Sequence, residues 1–491
     1  MFDKVKLSTQ QVLIYSIGNI ATKMAGFVLL PLIAHNVSVD QYGALVMLEP
    51  TWQLLSAFLA LSLPSALLRW LAPEKDLSKQ KEIIFTVVMA LIGILVVFNL
   101  IAYPINRWLG SLGAYSYEQF DTYLAYSFPL VSFDILNLVV LSMLRFHERP
   151  VFYIILNLVK LTVNIVLNVY FITGLGMGIE SVILSQLAAS VLLNLISLPY
   201  LLKNLVPKFD FKMLREMASY GFPLVFTTAS AIVLQLGDRF ILGYYLDKSE
   251  VGAYGFGYKI GGILNMFVIQ SFQLGFLPMA YKMLSDPDAK RFFSRMLTYF
   301  TFVLVFSALF LTLFARELSI FLSWGEDSYQ SAVYLVPLIT FSFVLKGMQY
   351  YFSLGLHYVK RTSYNAYIVV FCALLSIGMN IALIPVIGVI AAAITVTFTT
   401  AVMGGLYLYY SQKFYYIQFE ARRILLMLGI GVVLFFIGWE LEFLDMIWVL
   451  IIKSVLVILF PFLLYKGGFF DKDELNRIKQ GWGIVMGLVR K

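Results

Sequence analysis

Four lysines lie inside long apolar runs of this sequence. Lys23, Lys160, Lys259 and Lys346 are each flanked on both sides by aliphatic and aromatic residues. A charged side chain at the depth of a bilayer costs at least about 2.5–3.5 kcal/mol on insertion scales, so each lysine requires a polar cavity or a partner. Helix packing rarely requires four buried ammonium groups. We therefore expect these lysines to line a water-filled cavity that attracts anions.

Amides recur beside these lysines at helical spacing. Asn157, Asn164 and Asn168 lie three or four residues from Lys160 or from each other, so all four side chains share one helical face. Comparable stripes accompany the other lysines. The amides expected to line the cavity are Asn19, Asn157, Asn164, Gln270, Gln273 and Gln349. The alternative is that these amides hold neighbouring helices together by hydrogen bonds.

Carboxylates are fewer than lysines within the apolar runs. Glu49, Asp134 and Asp238 are the candidates, so we expect the cavity to carry excess positive charge and to repel a drug or metal cation. Each carboxylate either carries a coupling proton or sodium ion or serves as the structural partner of a nearby lysine. A further lysine, Lys453, lies in a later run and is expected to reach the lipid interface or to pair locally.

The sequence offers no catalytic or metal centre. The single cysteine leaves no disulfide framework, and the three histidines lack the spacing of paired zinc ligands. The acidic pairs Asp286/Asp288 and Asp471/Asp473 lie in short polar segments and are read as solvated turns. We therefore expect no enzyme activity, no metal and no cofactor. We attribute the net charge of +8 to interaction with anionic lipid headgroups and not to nucleic-acid binding.

The elements that must position the lysines are membrane-spanning helices. The chain is 60% hydrophobic and 13% charged, against averages of roughly 45–50% and about 25% in soluble domains. Its apolar blocks are long enough to cross about 30 Å of hydrocarbon. Hydropathy predicts about fourteen spans in an all-helical protein, the first from Val12 to Ala34, the seventh from Met217 to Phe240 and the eighth from Val251 to Met279.

Loop charges orient these spans. Lys and Arg collect on alternate connections, among them Lys4, Lys6 and Arg145, and they mark the cytoplasmic side. The outer connections have only Arg107, Arg239, Lys248 and Arg316. Both termini are therefore predicted to be cytoplasmic, which requires an even number of spans. The tail from Asp471 to Lys491 has apolar residues at helical spacing and is predicted to lie on the membrane surface as an amphipathic helix.

An internal repeat relates the two halves of the chain. Gly43 and Gly252 each follow a short polar segment and open a span, and they are 209 positions apart; Gly178 and Gly388 are 210 apart. Six spans per repeat make the halves parallel, which is common among transporters. The predicted organisation is two six-helix bundles, 1–205 and 206–415, two appended spans, 416–466, and the tail, 467–491.

The sequence resembles the polysaccharide-biosynthesis flippases of the multidrug/oligosaccharidyl-lipid/polysaccharide exporter superfamily. The resemblance covers roughly 10–410, and the residues that carry it are Pro31 to Ile33 with Tyr42-Gly43, Tyr220 to Pro223 with Asp238-Arg239 and Val251 to Tyr254, and Asn380 to Pro385 with Gly388.

This resemblance implies a V-shaped pair of bundles whose central cavity opens alternately to each side of a bacterial cytoplasmic (inner) membrane. It also implies a cargo: an undecaprenyl-pyrophosphate-linked oligosaccharide for O-antigen, capsule, exopolysaccharide or lipopolysaccharide assembly. Partners implied are membrane lipids, a polysaccharide polymerase and chain-length proteins. The family's cavity cations correspond to Lys23, Lys160, Lys259 and Lys346 here. Lysine in place of arginine favours point-charge attraction over bidentate phosphate recognition.

The sequence is compatible with two other functions. A cation-coupled multidrug antiporter of the same superfamily should place carboxylates and aromatic residues at the cavity centre. A membrane polysaccharide polymerase or glycosyltransferase generally needs a sizeable outer loop or domain, and the longest connections here are about 20 residues.

Overall fold

A computed structural model of the chain describes residues 26–113, 119–283, 286, 288–359, 362–439 and 445–469. Within these ranges the chain forms helices joined by short turns and contains no strand. This architecture confirms the predicted all-helical class. Apolar runs of this length fold as helices because a helix satisfies every backbone hydrogen bond within the segment, which a lipid environment requires.

The first half of the chain, up to position 205, supplies seven described helices. They are α1 (Leu30–Asn36), α2 (Val39–Ala60), α3 (Leu63–Leu71), α4 (Leu77–Ser111), α5 (Phe120–Phe146), α6 (Pro150–Val169) and α7 (Glu180–Lys203). A π-helical turn, Tyr170–Gly174, extends α6. Ser38 and Asp76 cap α2 and α4 by accepting hydrogen bonds from the backbone N–H groups of Gln41 and Ser78.

The second half has twelve described helices, of which the last two are appended. It contains α8 (Phe211–Leu236), α9 (Asp238–Tyr245), α10 (Lys248–Ile263), α11 (Gln270–Met283), α12 (Ala289–Leu313), α13 (Ala315–Leu322), α14 (Val336–Phe352), α15 (Leu354–Tyr358), α16 (Thr362–Ile387) and α17 (Ile390–Phe414), followed by the appended α18 (Ala421–Trp439) and α19 (Met446–Lys466). A π-helical segment, Leu264–Ile269, joins α10 to α11.

Eleven of the described helices are long and apolar enough to cross a membrane, or twelve if Asp327–Tyr334 and Val336–Tyr358 form one span bent by 49°. Two of the fourteen expected spans are therefore missing from this count of twelve. The first begins before the described residues, and only 26–36 is seen as a helix. The eighth corresponds to α10, the π-helical segment and α11 together. These segments contain glycines, tyrosines and amides, which lower their mean hydropathy.

The packing of the helices repeats between the halves. The pairs α2–α5, α4–α5, α5–α7 and α6–α7 pack against each other in the first half, and the pairs α10–α14, α12–α14, α14–α17 and α16–α17 do so in the second. Each second-half pair occupies the corresponding place in the repeat, so the packing supports a parallel duplication. The domain boundaries themselves remain predictions.

The two halves meet along α2 and α10. A Cβ atom at Gly252 would overlap the carbonyl oxygen of Val39, and one at Gly255 would overlap the side chain of Val46. Both contacts lie near the first turns of the two helices, at the predicted outer end of the molecule. Glycine therefore allows the helix backbones to approach closely there.

The appended helices α18 and α19 pack against each other and against α12. Lys453 of α19 is buried, 7% exposed, and its Nζ lies 2.6 Å from Glu317 Oε1 of α13. Of the two expectations for Lys453, the structure shows a buried ion pair and not a side chain at the lipid interface, and the partner lies 136 positions away in the sequence. The predicted tail helix lies outside the described residues.

Candidate substrate cavity

The polar cavity has two compartments, a large one lined mostly by the first half of the chain and a small one between the halves. The large compartment has a volume of about 1040 Å³ and is lined mainly by α2, α3, α5, α6 and α7. The small compartment has a volume of about 360 Å³ and is lined mainly by α2, α8 and α10. Gly26, Glu49 and Gln53 line both compartments, so the two lie next to each other.

Lys160 lines the large compartment together with Asp134. The lysine Nζ donates to Asp134 Oδ1 at 2.6 Å, and Ser190 Oγ donates to the same oxygen at 2.5 Å. The two charged side chains are 23% and 39% exposed, so both face the cavity rather than the helix core. Their charges compensate each other within the first half of the chain.

Lys259 lines the small compartment, and Glu49 lies beside it. The Nζ and Oε1 atoms are 3.1 Å apart, and the side chains are 22% and 33% exposed. The ammonium group also lies over the ring of Tyr42, 5.4 Å from its centroid, where the negative face of the ring favours a cation. Because α2 carries Glu49 and α10 carries Lys259, this ion pair joins the two halves.

Arg239 is a cavity cation that sequence reasoning missed. It was assigned to an outer connection, but α9 continues the helix to Tyr245 and draws Arg239 inside, where it lines the small compartment. Its guanidinium donates to Asp238 Oδ1 at 3.1 Å and lies 4.4 Å from the centroid of the Tyr258 ring. Tyr254 donates to the other carboxylate oxygen of Asp238. The sequence signal for this site is the adjacent pair Asp238-Arg239 at the end of an apolar run.

Two further cations lie at the edges of the cavity. Lys346 donates to Oε1 of Gln235, a residue of the small compartment, at 3.4 Å. Arg145 lines the large compartment from the end of α5 and donates to Ser142 Oγ at 3.2 Å. Arg145 had been counted only as a loop charge that fixes orientation. Lys23 and Asn19 lie outside the described residues.

The predicted amide stripes divide into two groups. Asn157 and Asn164 line the large compartment, but both are more than nine-tenths buried and bond to their own helix or its neighbour. Gln349 is buried and donates to the Thr400 carbonyl oxygen at 2.8 Å, so it joins α14 to α17 instead of lining the cavity. Gln270 and Gln273 are half-buried on α11, away from both compartments. Asn157, Asn164 and Gln349 therefore serve helix packing.

Polar residues outside the predicted stripes also face the large compartment. Gln53 and Thr228 are exposed there, and Ser56 and Gln186 are half-buried. Sequence reasoning missed these residues because it selected only the polar residues in the same stripes as the lysines.

The charges of the cavity are unequal. Within the described part of the chain, the cations that line it or bond to its walls are Arg145, Lys160, Arg239, Lys259 and Lys346, and the carboxylates are Glu49, Asp134 and Asp238. The excess is positive, as expected, but three of the five cations are paired. An anion entering this cavity meets lysines and arginines that are already held in place by carboxylates, which reduces the cost of ordering them on binding.

The fold of the chain is that of flippases and transporters. The structure is similar to "Lipid II flippase MurJ, inward closed conformation", with a TM-score of 0.72 and 16% sequence identity over 93% of this chain and 99% of that one. It is also similar to an inward-facing "multidrug resistance MATE family transporter of the MOP superfamily", with a TM-score of 0.66 and 14% identity over 81% and 94% of the two chains. At these identities the likeness shows the fold.

The chain belongs to the polysaccharide biosynthesis protein family, whose model matches residues 8–284. It is also similar to an "Uncharacterized membrane protein" of Haemophilus influenzae (strain ATCC 51907 / DSM 11121 / KW20 / Rd), with 24% identity over 287 residues, or 56% of this chain and 66% of that protein. The chain thus spans about two thirds of the length of this curated relative. Together with the helices, these relatives identify a multi-pass membrane protein with a flippase or transporter fold.

Proposed function

We propose that this protein moves an undecaprenyl-pyrophosphate-linked oligosaccharide from the cytoplasmic to the outer leaflet of a bacterial inner membrane. The polar headgroup would enter the cavity while the lipid chain stays in the bilayer, and the halves would then open alternately to the two sides. Both chain termini would lie in the cytoplasm, and polysaccharide polymerase and chain-length proteins would act on the product. The two bundles and the appended pair would follow the predicted boundaries.

The observation that carries this proposal is the cation-rich small compartment. Lys259 and Arg239 both line a space of about 360 Å³, and Lys346 bonds to its wall. Coulomb attraction to a pyrophosphate is much stronger in such a partly dehydrated site than in water. The family match to polysaccharide biosynthesis proteins supports a glycan on that pyrophosphate.

The cation-coupled drug antiporter is the rival from the same fold. Such a protein needs a carboxylate free to attract an organic cation, but Glu49, Asp134 and Asp238 each contact a lysine or arginine at 3.1 Å or less. A drug cation would have to displace those partners. The charge arrangement therefore favours the anionic cargo.

Coupling to an ion gradient would enter the transport cycle through these carboxylates. Of the three, Glu49 is the one whose ion pair crosses between the halves, since Asp134 and Asp238 pair within their own half. A proton or sodium ion that neutralised Glu49 would release Lys259. We therefore assign the coupling role to Glu49 and structural roles to Asp134 and Asp238.

The proposal is tested by deleting the gene in the source bacterium and complementing it with variants. Deletion should make pyrophosphate-linked glycolipids accumulate, and the wild-type gene should remove them. Lys259→Ala should slow this removal by at least about tenfold, because a charge-assisted contact contributes about 1.5–3 kcal/mol and Glu49 would be left without its partner. Absence of accumulated glycolipid in the deletion strain would refute the proposal.

Lys208→Ala is the matched control. Lys208 also forms a lysine–glutamate pair, with Glu82 at 2.9 Å, but its side chain is 70% exposed and lies outside the cavity. Exposed pairs contribute little to stability. Lys208→Ala should therefore transport as the wild type does, and both variants should reach the same abundance in the membrane.

A further inference from the structure

Several side chains of the large compartment have unused hydrogen-bonding capacity. The amides of Gln53 and Gln186 and the hydroxyls of Ser56 and Thr228 make no hydrogen bond to any other described residue. They come from three helices, α2, α7 and α8, and converge on one space. A polar group that faces a cavity without a protein partner is available to water or to a ligand.

These residues differ from the buried amides of the same wall. Asn157 donates to the carbonyl oxygen of Tyr153, and Asn164 accepts from Asn168, so their polar atoms are already engaged. The wall therefore has two sets of polar residues. Asn157 and Asn164 bond to other residues and hold the helices, whereas Gln53, Ser56, Gln186 and Thr228, here called the free layer, face the cavity. Only the free layer can recognise cargo without breaking a hydrogen bond of the fold.

The free layer is also neutral. Lys160 and Asp134 compensate each other beside it, and Arg145 lies at the end of α5, near the predicted cytoplasmic mouth. The small compartment has fewer free neutral groups and holds Lys259 and Arg239 instead. The two compartments consequently suit two different parts of one molecule: uncharged hydroxyl and amide groups in the large one, and an anion in the small one.

The volumes are consistent with this division. At about 1040 Å³ the large compartment is at the upper end of ligand pockets, which commonly measure about 300–1,000 Å³. The small compartment, at about 360 Å³, is at the lower end. The compartments share Glu49 and Gln53 in their walls, so two parts of one headgroup bound in them would lie next to each other.

We infer that the large compartment is the subsite for the sugars, with Gln186 and Thr228 among the residues that determine glycan specificity, and that the small compartment holds the pyrophosphate. This inference rests on the proposed function and adds to it where each part of the headgroup binds. The sugars bound against the free layer are uncharged and offer hydroxyl and amide groups.

The test compares two lipids on the purified full-length protein in nanodiscs. One is the glycolipid that accumulates in the deletion strain, and the other is undecaprenyl pyrophosphate without sugars. Binding is measured by native mass spectrometry for the wild type, for Gln186→Ala/Thr228→Val and for Lys259→Ala. Neither Gln186 nor Thr228 bonds to another described residue, so the double variant should fold normally.

The double variant should bind the glycolipid about tenfold more weakly, as expected for two lost hydrogen-bonding groups, and should bind undecaprenyl pyrophosphate as the wild type does. Lys259→Ala should weaken both lipids. Thr227→Val is the control, because Thr227 is adjacent to Thr228 but bonds to the carbonyl oxygen of Pro223 and does not line the cavity. It should leave both affinities unchanged.

The other outcomes separate the two proposals. If the double variant binds the glycolipid as tightly as the wild type, or loses both lipids equally, the subsite assignment is wrong and the proposed function stands. If the wild type binds neither lipid, the proposed function fails and the subsite assignment fails with it.

Discussion

Lys259 Nζ lies 3.1 Å from Glu49 Oε1, and the two residues belong to different halves of the chain. The other two ion pairs of the cavity, Lys160–Asp134 and Arg239–Asp238, each lie within one half. The Lys259–Glu49 pair is also close to the tight contact of α2 with α10 at Gly252 and Gly255. If the halves separate at this end, this pair must break, whereas the other two can move as units.

We therefore expect Glu49→Gln to open the predicted outer end more often. The change removes the charge of the cross-half pair but keeps the size of the side chain. A loss of about 1.4 kcal/mol shifts a two-state equilibrium tenfold, so the effect should be measurable. A cysteine at the cavity-facing Gln53 reports it through its rate of reaction with a membrane-impermeant maleimide in intact cells.

The control for this experiment is Asp134→Asn, which breaks a pair within one half and should not raise the reaction rate. The native Cys372 is buried and should not react. Equal labelling of Gln53→Cys with and without Glu49→Gln would show that the pair does not hold the halves together.

Gly252→Ala should disrupt the closed outer end. The added Cβ would overlap the carbonyl oxygen of Val39, and a backbone atom cannot rotate away as a side chain can. Overpacking of this kind costs about 1–3 kcal/mol. We expect a lower thermal unfolding temperature in detergent and weaker complementation of the deletion strain.

Gly405→Ala provides the comparison, because a Cβ there would meet nothing within 4 Å. It should unfold and complement as the wild type does. If Gly252→Ala behaves like Gly405→Ala, the close approach of α2 and α10 is not required for transport.

The class of fold and the depth of the lysines could be predicted from the sequence. Long apolar runs leave few alternatives to helices in a bilayer, and a lysine within such a run must lie where water or a partner can reach it. The partners were harder to predict. Glu49 and Lys259 are 210 positions apart, and only the packing of α2 against α10 brings them together.

The stripes of amides at helical spacing did not identify all the polar residues that line the cavity. Asn157 and Gln349 belong to such stripes and are buried, although Asn157 and Lys160 of the same face also line the large compartment. Polar residues outside the predicted stripes, such as Gln186 and Thr228, line the large compartment as well. Periodicity alone therefore does not separate a packing face from a cavity face, because exposure to a cavity depends on neighbours from distant parts of the chain.

Arg239 was misplaced for a different reason. The sequence reading ended the seventh span at Phe240, but α9 continues to Tyr245 after a single turn residue, Gly237. Five further residues of helix extend about 7.5 Å at 1.5 Å per residue. That distance moves Arg239 from the expected outer connection into the wall of the small compartment.

The pair formed by Lys453 and Glu317 should be important for the docking of the appended helices. Both side chains are largely buried, 9% and 17% exposed. Removing one partner of a buried pair leaves an uncompensated charge and typically costs about 3–5 kcal/mol. Lys453→Met should therefore lower the thermal unfolding temperature markedly and reduce the amount of protein in the membrane.

The double variant Lys453→Met/Glu317→Met separates charge from shape. Replacing both partners of a buried pair by apolar side chains is often neutral or stabilising. We expect the double variant to recover most of the stability that Lys453→Met loses. Additive losses in the two single variants and the double variant would show that the two charges do not act as a pair.

His147 should make stability depend on pH. It follows the last residue of α5, and its Nδ1 is hydrogen-bonded to the hydroxyl of Tyr200. Burial, with a smaller contribution from the positive charge of Arg149, lowers the pKa of this imidazole below its usual value. The folded protein therefore keeps His147 neutral at a pH where the unfolded chain, with a pKa of about 6.5, binds a proton. Stability should fall as the pH drops from about 6.5 towards the lowered pKa.

The residue is tested by His147→Asn, which does not titrate and whose Oδ1 can replace Nδ1 as the acceptor for Tyr200. Thermal unfolding temperatures are measured in detergent between pH 7.5 and pH 5.5. Wild type and variant should be similar at pH 7.5, and the wild type should lose more stability at pH 5.5, because only its imidazole resists protonation in the folded state. If the two proteins lose stability in parallel, other groups account for the acid sensitivity and His147 contributes nothing to it.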